Sequence, residues 1–153
     1  MQLDSDEIWA FFSNALKASQ VKVPYRKVWF LKTPLEVKVV VWLAFRKSIL
    51  TKSVFLSRGW KGTNRCMFCS NVETIDHLFF GCSVARYVWG MVRCAVNLKS
   101  VPVNFDDLPP WLETFATKDR LLISSGVATL IWALWKTRND ACFNGIIPAF
   151  LLL

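Results

Sequence analysis

The chain has 153 residues and a formal net charge of +8, and 54% of its residues are hydrophobic, including eight Trp and twelve Phe. This length fits a single core, and the composition leaves ample apolar material to fill it. The longest apolar run, Leu121–Trp135, spans fifteen residues and is interrupted by Ser124, Ser125 and Gly126. Because a membrane span requires roughly 18 to 20 apolar residues, the run predicts a buried helix and no membrane partner.

The cysteine usage and the first residues of the chain predict an intracellular, reducing setting. The chain has five cysteines and no Asn-x-Ser/Thr glycosylation acceptor. Asp4, Asp6 and Glu7 interrupt the region where a signal peptide would be apolar. These features are typical of a protein whose thiols stay reduced.

The first part of the chain predicts a helix followed by a connector. Asp4 can cap a helix with Glu7 in capping-box position, and the apolar stripe that follows fits a helix ending near Ala18. A basic connector then covers Lys22–Lys32.

The strongest helix start precedes the segment Val37–Phe45. Thr33 can cap this helix, Pro34 suits its first position, and Glu36 can reach back to the cap. The segment itself is rich in β-branched and aromatic residues, so its composition alone would also allow a buried strand. The capping pattern favours the helix.

Further helices are predicted downstream. Their expected bounds are Thr51 to Gly59, Ser83 to about Val96, Trp111 to Phe115, and Arg120 to about Phe143. Gly59 suits a left-handed helix end, and Ser83, Asp106-Asp107 and Asp119 suit helix starts. A loop is marked by three prolines, Pro102, Pro109 and Pro110.

Three cysteines and the only histidine of the chain fall within seventeen residues: Cys66, Cys69, His77 and Cys82. The gap between Cys66 and Cys69 lets both sulfurs of a tight turn face one ion, and His77 and Cys82 can complete a tetrahedron. Thiolates with an imidazole favour Zn²⁺. Because four protein ligands leave no open position for water, we predict one structural Zn²⁺ and no enzyme activity. The competing interpretation is a set of ordinary core residues.

Other residues of similar chemistry are interpreted without a metal role. Cys94 and Cys142 stand apart and are predicted to be buried core cysteines. Asp76 or Glu73 can orient the imidazole of His77, but a helix cap or a solvent-facing acid is the preferred interpretation.

Basic and aromatic side chains cluster just before the first ligands. Between Val37 and Val72 there are seven Lys or Arg residues and no Asp or Glu, so this segment should attract polyanions. Cations beside an exposed aromatic can hold phosphates while unpaired bases stack. The candidate nucleic-acid-binding residues are Lys52, Arg58, Trp60, Lys61 and Arg65, with Arg86 and Arg93 as further candidates. A basic face that only confers solubility is equally compatible, and Phe79 and Phe80 are more simply core.

Three blocks of the sequence carry a resemblance to a known family. The first runs from Val28 to Trp60 and includes Val28-Trp29-Phe30-Leu31-Lys32-Thr33-Pro34. The second runs from Cys66 to Trp89, and the third comprises Ile131–Asn139 and Phe143. In order and spacing the blocks resemble the reverse transcriptase zinc-binding domain of plant LINE-type (non-LTR) retrotransposons. The similarity is close over 28–89 and looser up to Phe143.

The resemblance implies Zn²⁺ on the four clustered residues and RNA or DNA as a partner, in support of a neighbouring polymerase domain. It also implies a nuclear location. The apolar tail suggests a stand-alone or truncated copy. We expect an N-terminal helix and connector over 1–27 that matches the family weakly, a zinc-binding domain over 28–96, a helical C-terminal extension over 97–145, and an irregular tail over 146–153.

The predicted fold is mainly α: a small helical domain built around a Cys₂HisCys zinc site, with a long C-terminal helix. Its predicted function is that of a zinc-binding, nucleic-acid-binding accessory domain. The alternative is a zinc-stapled protein interaction module in which Val37–Phe45 and Leu121–Trp135 face a polymerase or another partner. An enzyme ranks last, because the ligand order lacks the His-x-Glu motif of zinc deaminases.

Overall fold

The computed structural model describes residues 25–149. The helix predicted between Asp4 and Ala18 lies outside the described residues, as does the end of the tail. Within the described range no strand forms, and a single isolated bridge pairs Arg65 with Val72. The α-helices are α1 (Tyr25–Trp29), α2 (Leu35–Phe45), α3 (Lys52–Ser57), α4 (Ser83–Ala95), α5 (Leu108–Glu113) and α6 (Thr117–Asn144), and a π-helical turn covers His77–Gly81. The predicted mainly helical fold is confirmed.

The segment predicted as a basic connector is partly helical, because α1 lies within it. Val28 on α1 is buried. The backbone N–H of Lys32 donates to Ser125 Oγ at 3.1 Å, and Lys38 Nζ donates to the Trp29 carbonyl at 3.1 Å. This short element is therefore fixed against both α2 and α6.

Helix α2 confirms the choice of helix over strand for the β-branched segment. It begins at Leu35, and Pro34 occupies the N-cap position and not the first helical position. The Thr33 hydroxyl is buried without a hydrogen bond, so the predicted Thr33 cap is wrong. The start of α2 was predictable to within one residue, but its capping group was not.

Helix α6 is the long C-terminal helix and packs mainly against α2. It begins at Thr117, three residues before the predicted Arg120, and ends at Asn144, where Gly145 is left-handed with φ 65°. One face is buried: Ser125, Val127, Ala128, Ile131, Leu134, Arg138 and Ala141. The other face is open, with Leu122 77% exposed, so the apolar run is not buried all round. In the described part of the chain, no helix has the length and hydropathy needed to cross a bilayer.

Two of the prolines predicted to mark a loop lie in a helix. Pro109 and Pro110 occupy the first turn of α5, where a missing N–H removes no intrahelical hydrogen bond. Asp107 precedes this helix, as predicted, but its side chain makes no capping hydrogen bond. The helix spans Leu108–Glu113, a few residues earlier than expected.

Residues before and after position 96 share one hydrophobic core. Phe105 meets Phe45, Phe79 and Phe80 edge to face, with ring centroids 5.1, 5.4 and 5.1 Å apart. Such pairs contribute about 0.5–1.5 kcal/mol each beyond their buried area. The segment after residue 96 is thus joined to the π-helical turn by aromatic packing.

Candidate metal centre

A tight turn presents the first two cysteines. The backbone N–H of Cys66 donates to the Asn71 carbonyl at 2.7 Å, which closes the turn, and Ser70 within it is left-handed with φ 59°. The backbone N–H of Phe68 points at Cys66 Sγ, 3.5 Å away. An N–H donor stabilises the charged form of its acceptor, so this turn suits a thiolate. Cys66 and Cys69 therefore share one side of a compact hairpin.

The π-helical turn brings the other two candidate ligands together. The Cys82 N–H donates to the His77 carbonyl at 2.6 Å, an i→i+5 hydrogen bond. In a regular α-helix, residues five apart would be rotated by about 140° around the axis and would face different directions. The wider turn places His77 and Cys82 on one side, consistent with the frequent occurrence of such turns at functional sites.

The four predicted ligands converge. Their ligand atoms all lie within 4.8 Å of one another, and Cys66 and Cys82 are buried. The two sulfurs of Cys66 and Cys82 are 3.7 Å apart, and Cys69 Sγ lies 3.1 Å from His77 Nε2. Tetrahedral zinc would separate two thiolates by about 3.8 Å and a thiolate from an imidazole nitrogen by about 3.6 Å. The donor set and the sulfur–sulfur distance fit such an ion, and the sulfur–nitrogen distance is about 0.5 Å shorter than the ion would require.

The buried thiols of Cys66 and Cys82 differ in acidity. The hydrogen bond to Cys82 raises the pKa of Cys66, and burial raises it further. The same hydrogen bond lowers the pKa of Cys82, because it stabilises the thiolate form of that residue. A metal ion bound here must therefore displace the proton that the two sulfurs share.

Glu73, which lies between the second and third candidate ligands, is fully buried in an ion pair. Its Oε1 accepts from Arg138 Nη2 at 2.6 Å and from the backbone N–H of Lys52 at 2.9 Å. Glu73 therefore caps α3, which is one of the two roles predicted for it. The other predicted role, a solvent-facing acid, is wrong because the side chain is buried. The sequence contained one indication of this buried ion pair: Arg138 continues the apolar face of α6 at helical spacing, so a buried acid was needed to pair with it.

The remaining residues of similar chemistry also have defined places. Asp76 Oδ1 accepts from the Phe105 N–H at 3.1 Å, so it holds the loop before α5. Cys94 is exposed and Cys142 is half-buried, with a pKa raised by burial. The prediction of two buried core cysteines is wrong for Cys94. Phe79 and Phe80 are buried, as predicted.

Two of the predicted basic residues contact the backbone of the candidate metal turn. Lys52 Nζ donates to the Arg65 carbonyl at 2.6 Å, and Arg65 Nη1 donates to the Ser70 carbonyl at 2.8 Å. Both therefore support the backbone of the turn. Arg58 and Lys61 are exposed. Trp60 is 46% exposed, and Arg86 and Arg93 are exposed on α4.

A helical domain in which three cysteines and one histidine converge on a single point belongs to the class of small metal-binding modules. The family described as "zinc-binding in reverse transcriptase" matches residues 5–89. The chain belongs to this family. The match starts nearer the N-terminus than the predicted close similarity, which began at Val28, and it ends at Trp89. No curated protein and no solved structure matches the chain.

Proposed function

We propose that this chain is a zinc-stapled accessory domain that binds RNA or DNA in support of reverse transcription and catalyses no reaction itself. One structural Zn²⁺ would be held by Cys66, Cys69, His77 and Cys82. The observation that carries the proposal is the convergence of these four ligand atoms within 4.8 Å, on a turn that Lys52 and Arg65 support. Thiolate ligands require a reducing compartment, which the nucleus provides.

Charge beside the metal turn supports nucleic acid as the partner. Arg58, Lys61 and Arg65 are exposed in a segment without acidic residues. Such a patch binds phosphates with release of counterions, so affinity should depend strongly on salt. The resemblance to plant LINE-type retrotransposon domains supports the same partner and a retrotransposon origin. Four neutralised phosphates would give a slope of about −3 to −4 for the logarithm of affinity against the logarithm of salt.

Two double charge reversals test this proposal. The first is Arg58→Glu with Lys61→Glu, and the second is Lys99→Glu with Lys118→Glu, which changes the net charge equally at other exposed positions. Lys52 and Arg65 are left intact because their side chains hold the turn. We expect the first variant to lose most affinity for a labelled oligonucleotide and to flatten the salt slope, while the second keeps both. Equal losses of affinity in the two variants, or an affinity of the unmodified protein that does not change with salt, would contradict the proposed function.

A protein interaction module is the second candidate, and one groove favours it. An apolar groove of about 380 Å³ lies between α1, α2, α5 and α6. On its wall, Phe30 is 75% exposed and Leu121 is 40% exposed. If this groove serves a protein partner, purified chain should self-associate or capture a polymerase fragment in sedimentation experiments. The double reversal at Arg58 and Lys61 should then leave that association unchanged.

A further inference from the structure

A second cleft lies beside the candidate metal turn, where three distant segments meet. It encloses about 240 Å³, and its walls include Lys52 and Phe55 of α3, Trp60, Met67 of the turn, and Phe143 of α6. We call it the Trp60–Phe143 cleft. Trp60, Met67 and Phe143 are 46%, 50% and 71% exposed. Single exposed apolar residues are common, but three converging on one cleft indicate a binding surface.

The indole of Trp60 is held in a fixed position. A Cβ built on Gly62 would overlap the Trp60 ring, so the ring rests directly on the Gly62 backbone. Phe55 also packs against the indole, with ring centroids 6.0 Å apart and the ring planes tilted by 53°. An aromatic that is held in place and still half exposed is a ready stacking platform, because little conformational freedom remains to be lost on binding.

The charge around the cleft selects an anionic partner. None of the described residues that line it is acidic. Lys52 contributes an ammonium group, and Arg138 contributes a guanidinium that is already paired with Glu73. The Lys52 ammonium group donates to the backbone carbonyl of Arg65 at 2.6 Å, and the exposed Arg65 side chain donates to the Ser70 carbonyl of the neighbouring metal turn. Lys61 follows Trp60 directly and is also exposed. Cations next to exposed aromatic faces form the arrangement that binds single strands by joint stacking and phosphate contacts.

We propose that the Trp60–Phe143 cleft takes one unpaired nucleobase of a single strand, stacked on Trp60 and covered by Phe143, while Lys61 and Arg65 hold the neighbouring phosphates. This inference rests on the proposed function and deepens it, because it assigns a preference for single strands and a contact from α6. A base inside a duplex is stacked on its neighbours and paired, so it cannot enter the cleft without first being extruded.

The test compares two labelled single strands of equal length, an oligothymidylate and a strand with abasic sites, on the zinc-loaded full chain. Both strands carry the same phosphates, so their difference reports base stacking alone. We expect the oligothymidylate to bind about tenfold more tightly, in line with base–aromatic stacking. Phe143→Ala should reduce that difference without abolishing it, because Trp60 would still face the base. The control is Phe30→Ala, which removes an exposed Phe outside this cleft and should preserve the difference.

Each outcome separates this inference from the proposed function. If both strands bind equally and the salt slope is unchanged, the cleft does not bind a base, and the basic segment remains the binding surface. Loss of binding to both strands by the unmodified protein would overturn the proposed function itself. If Phe143→Ala abolished self-association but left strand binding unchanged, the cleft would hold a second copy of the chain and the inference would be wrong. Zinc content, measured on each variant, establishes that it is folded.

Discussion

The buried pair of Glu73 and Arg138 links the candidate metal segment to the long helix. Arg138 is 2% exposed, and its guanidinium meets the Glu73 carboxylate at 2.6 Å and 3.3 Å. Removing two charges from water is costly, so such a pair is retained only when its hydrogen bonds are well satisfied. Here the backbone N–H of Lys52 gives the carboxylate a third donor. The pair thereby ties α3, the metal segment and α6 to one point.

Substitution of Arg138 tests the weight of this pair. We expect Arg138→Met to reduce the free energy of unfolding by about 3–5 kcal/mol, because it leaves the Glu73 carboxylate buried without its counterion. Adding Glu73→Gln should restore part of the loss, since an amide oxygen can still accept from Lys52. Urea unfolding of the zinc-loaded protein measures both effects.

A matched control lies one half-turn away on the same helix. Lys136 pairs with Asp140 at 3.3 Å on the exposed side of α6. Lys136→Met should cost only about 0.3–0.5 kcal/mol, as exposed i,i+4 pairs do. If Lys136→Met and Arg138→Met reduced the free energy of unfolding by similar amounts, burial of the Glu73–Arg138 pair would not explain the effect of Arg138→Met.

At the scale of elements, the positions of the helices could be predicted from the local sequence, but the groups that cap them could not. Thr51 lies directly before α3, as predicted, but its hydroxyl makes no hydrogen bond. The cap comes instead from Glu73, which accepts from the backbone N–H of Lys52, 21 residues earlier in the chain. A capping pattern describes neighbours in sequence, while this cap depends on how the metal segment packs. The convergence of Cys66, Cys69, His77 and Cys82 was predictable from their spacing in the sequence, whereas the contribution of Phe143 to the Trp60–Phe143 cleft depends on packing and was not.

Two glycines in contrasting backbone conformations test the element boundaries. Gly59 follows α3 with φ 87°, whereas Gly126 lies within α6 with open space where a Cβ would stand. We expect Gly59→Ala to destabilise the protein by about 1 kcal/mol, because an L-residue is strained in the left-handed region. Gly126→Ala should stabilise it by about 0.5–1 kcal/mol through higher helix propensity. Thermal unfolding of the two variants should move in opposite directions, and shifts of the same sign would contradict the assigned conformations.

At the scale of the whole molecule, the family match and the folded core have different extents. The match ends at Trp89, yet Trp89 packs edge to face on Trp111, with ring centroids 6.0 Å apart. Phe105 and Arg138, also outside the match, contact the π-helical turn and the metal segment. We therefore propose that the residues after 96 fold together with the metal segment and do not form a separate extension. The bound ion would then stabilise helices that contribute no ligand to it.

Removal of the metal tests this coupling. A structural zinc site contributes on the order of 10 kcal/mol to folding. If α4 and α6 both unfold when the metal is removed, a strong chelator should abolish most of the helical circular dichroism of the protein. Cys82→Ser should have the same effect without chelator, because it removes a buried candidate ligand. Cys94→Ser, at an exposed cysteine outside the cluster, should leave the zinc content unchanged. Amide exchange localises the change. If the metal segment loosened, Arg138 would lose its buried carboxylate, so protection should fall across residues 127–141 together with residues 77–95. Protection that persists in α6 after zinc is lost would mean that the long helix folds independently of the metal.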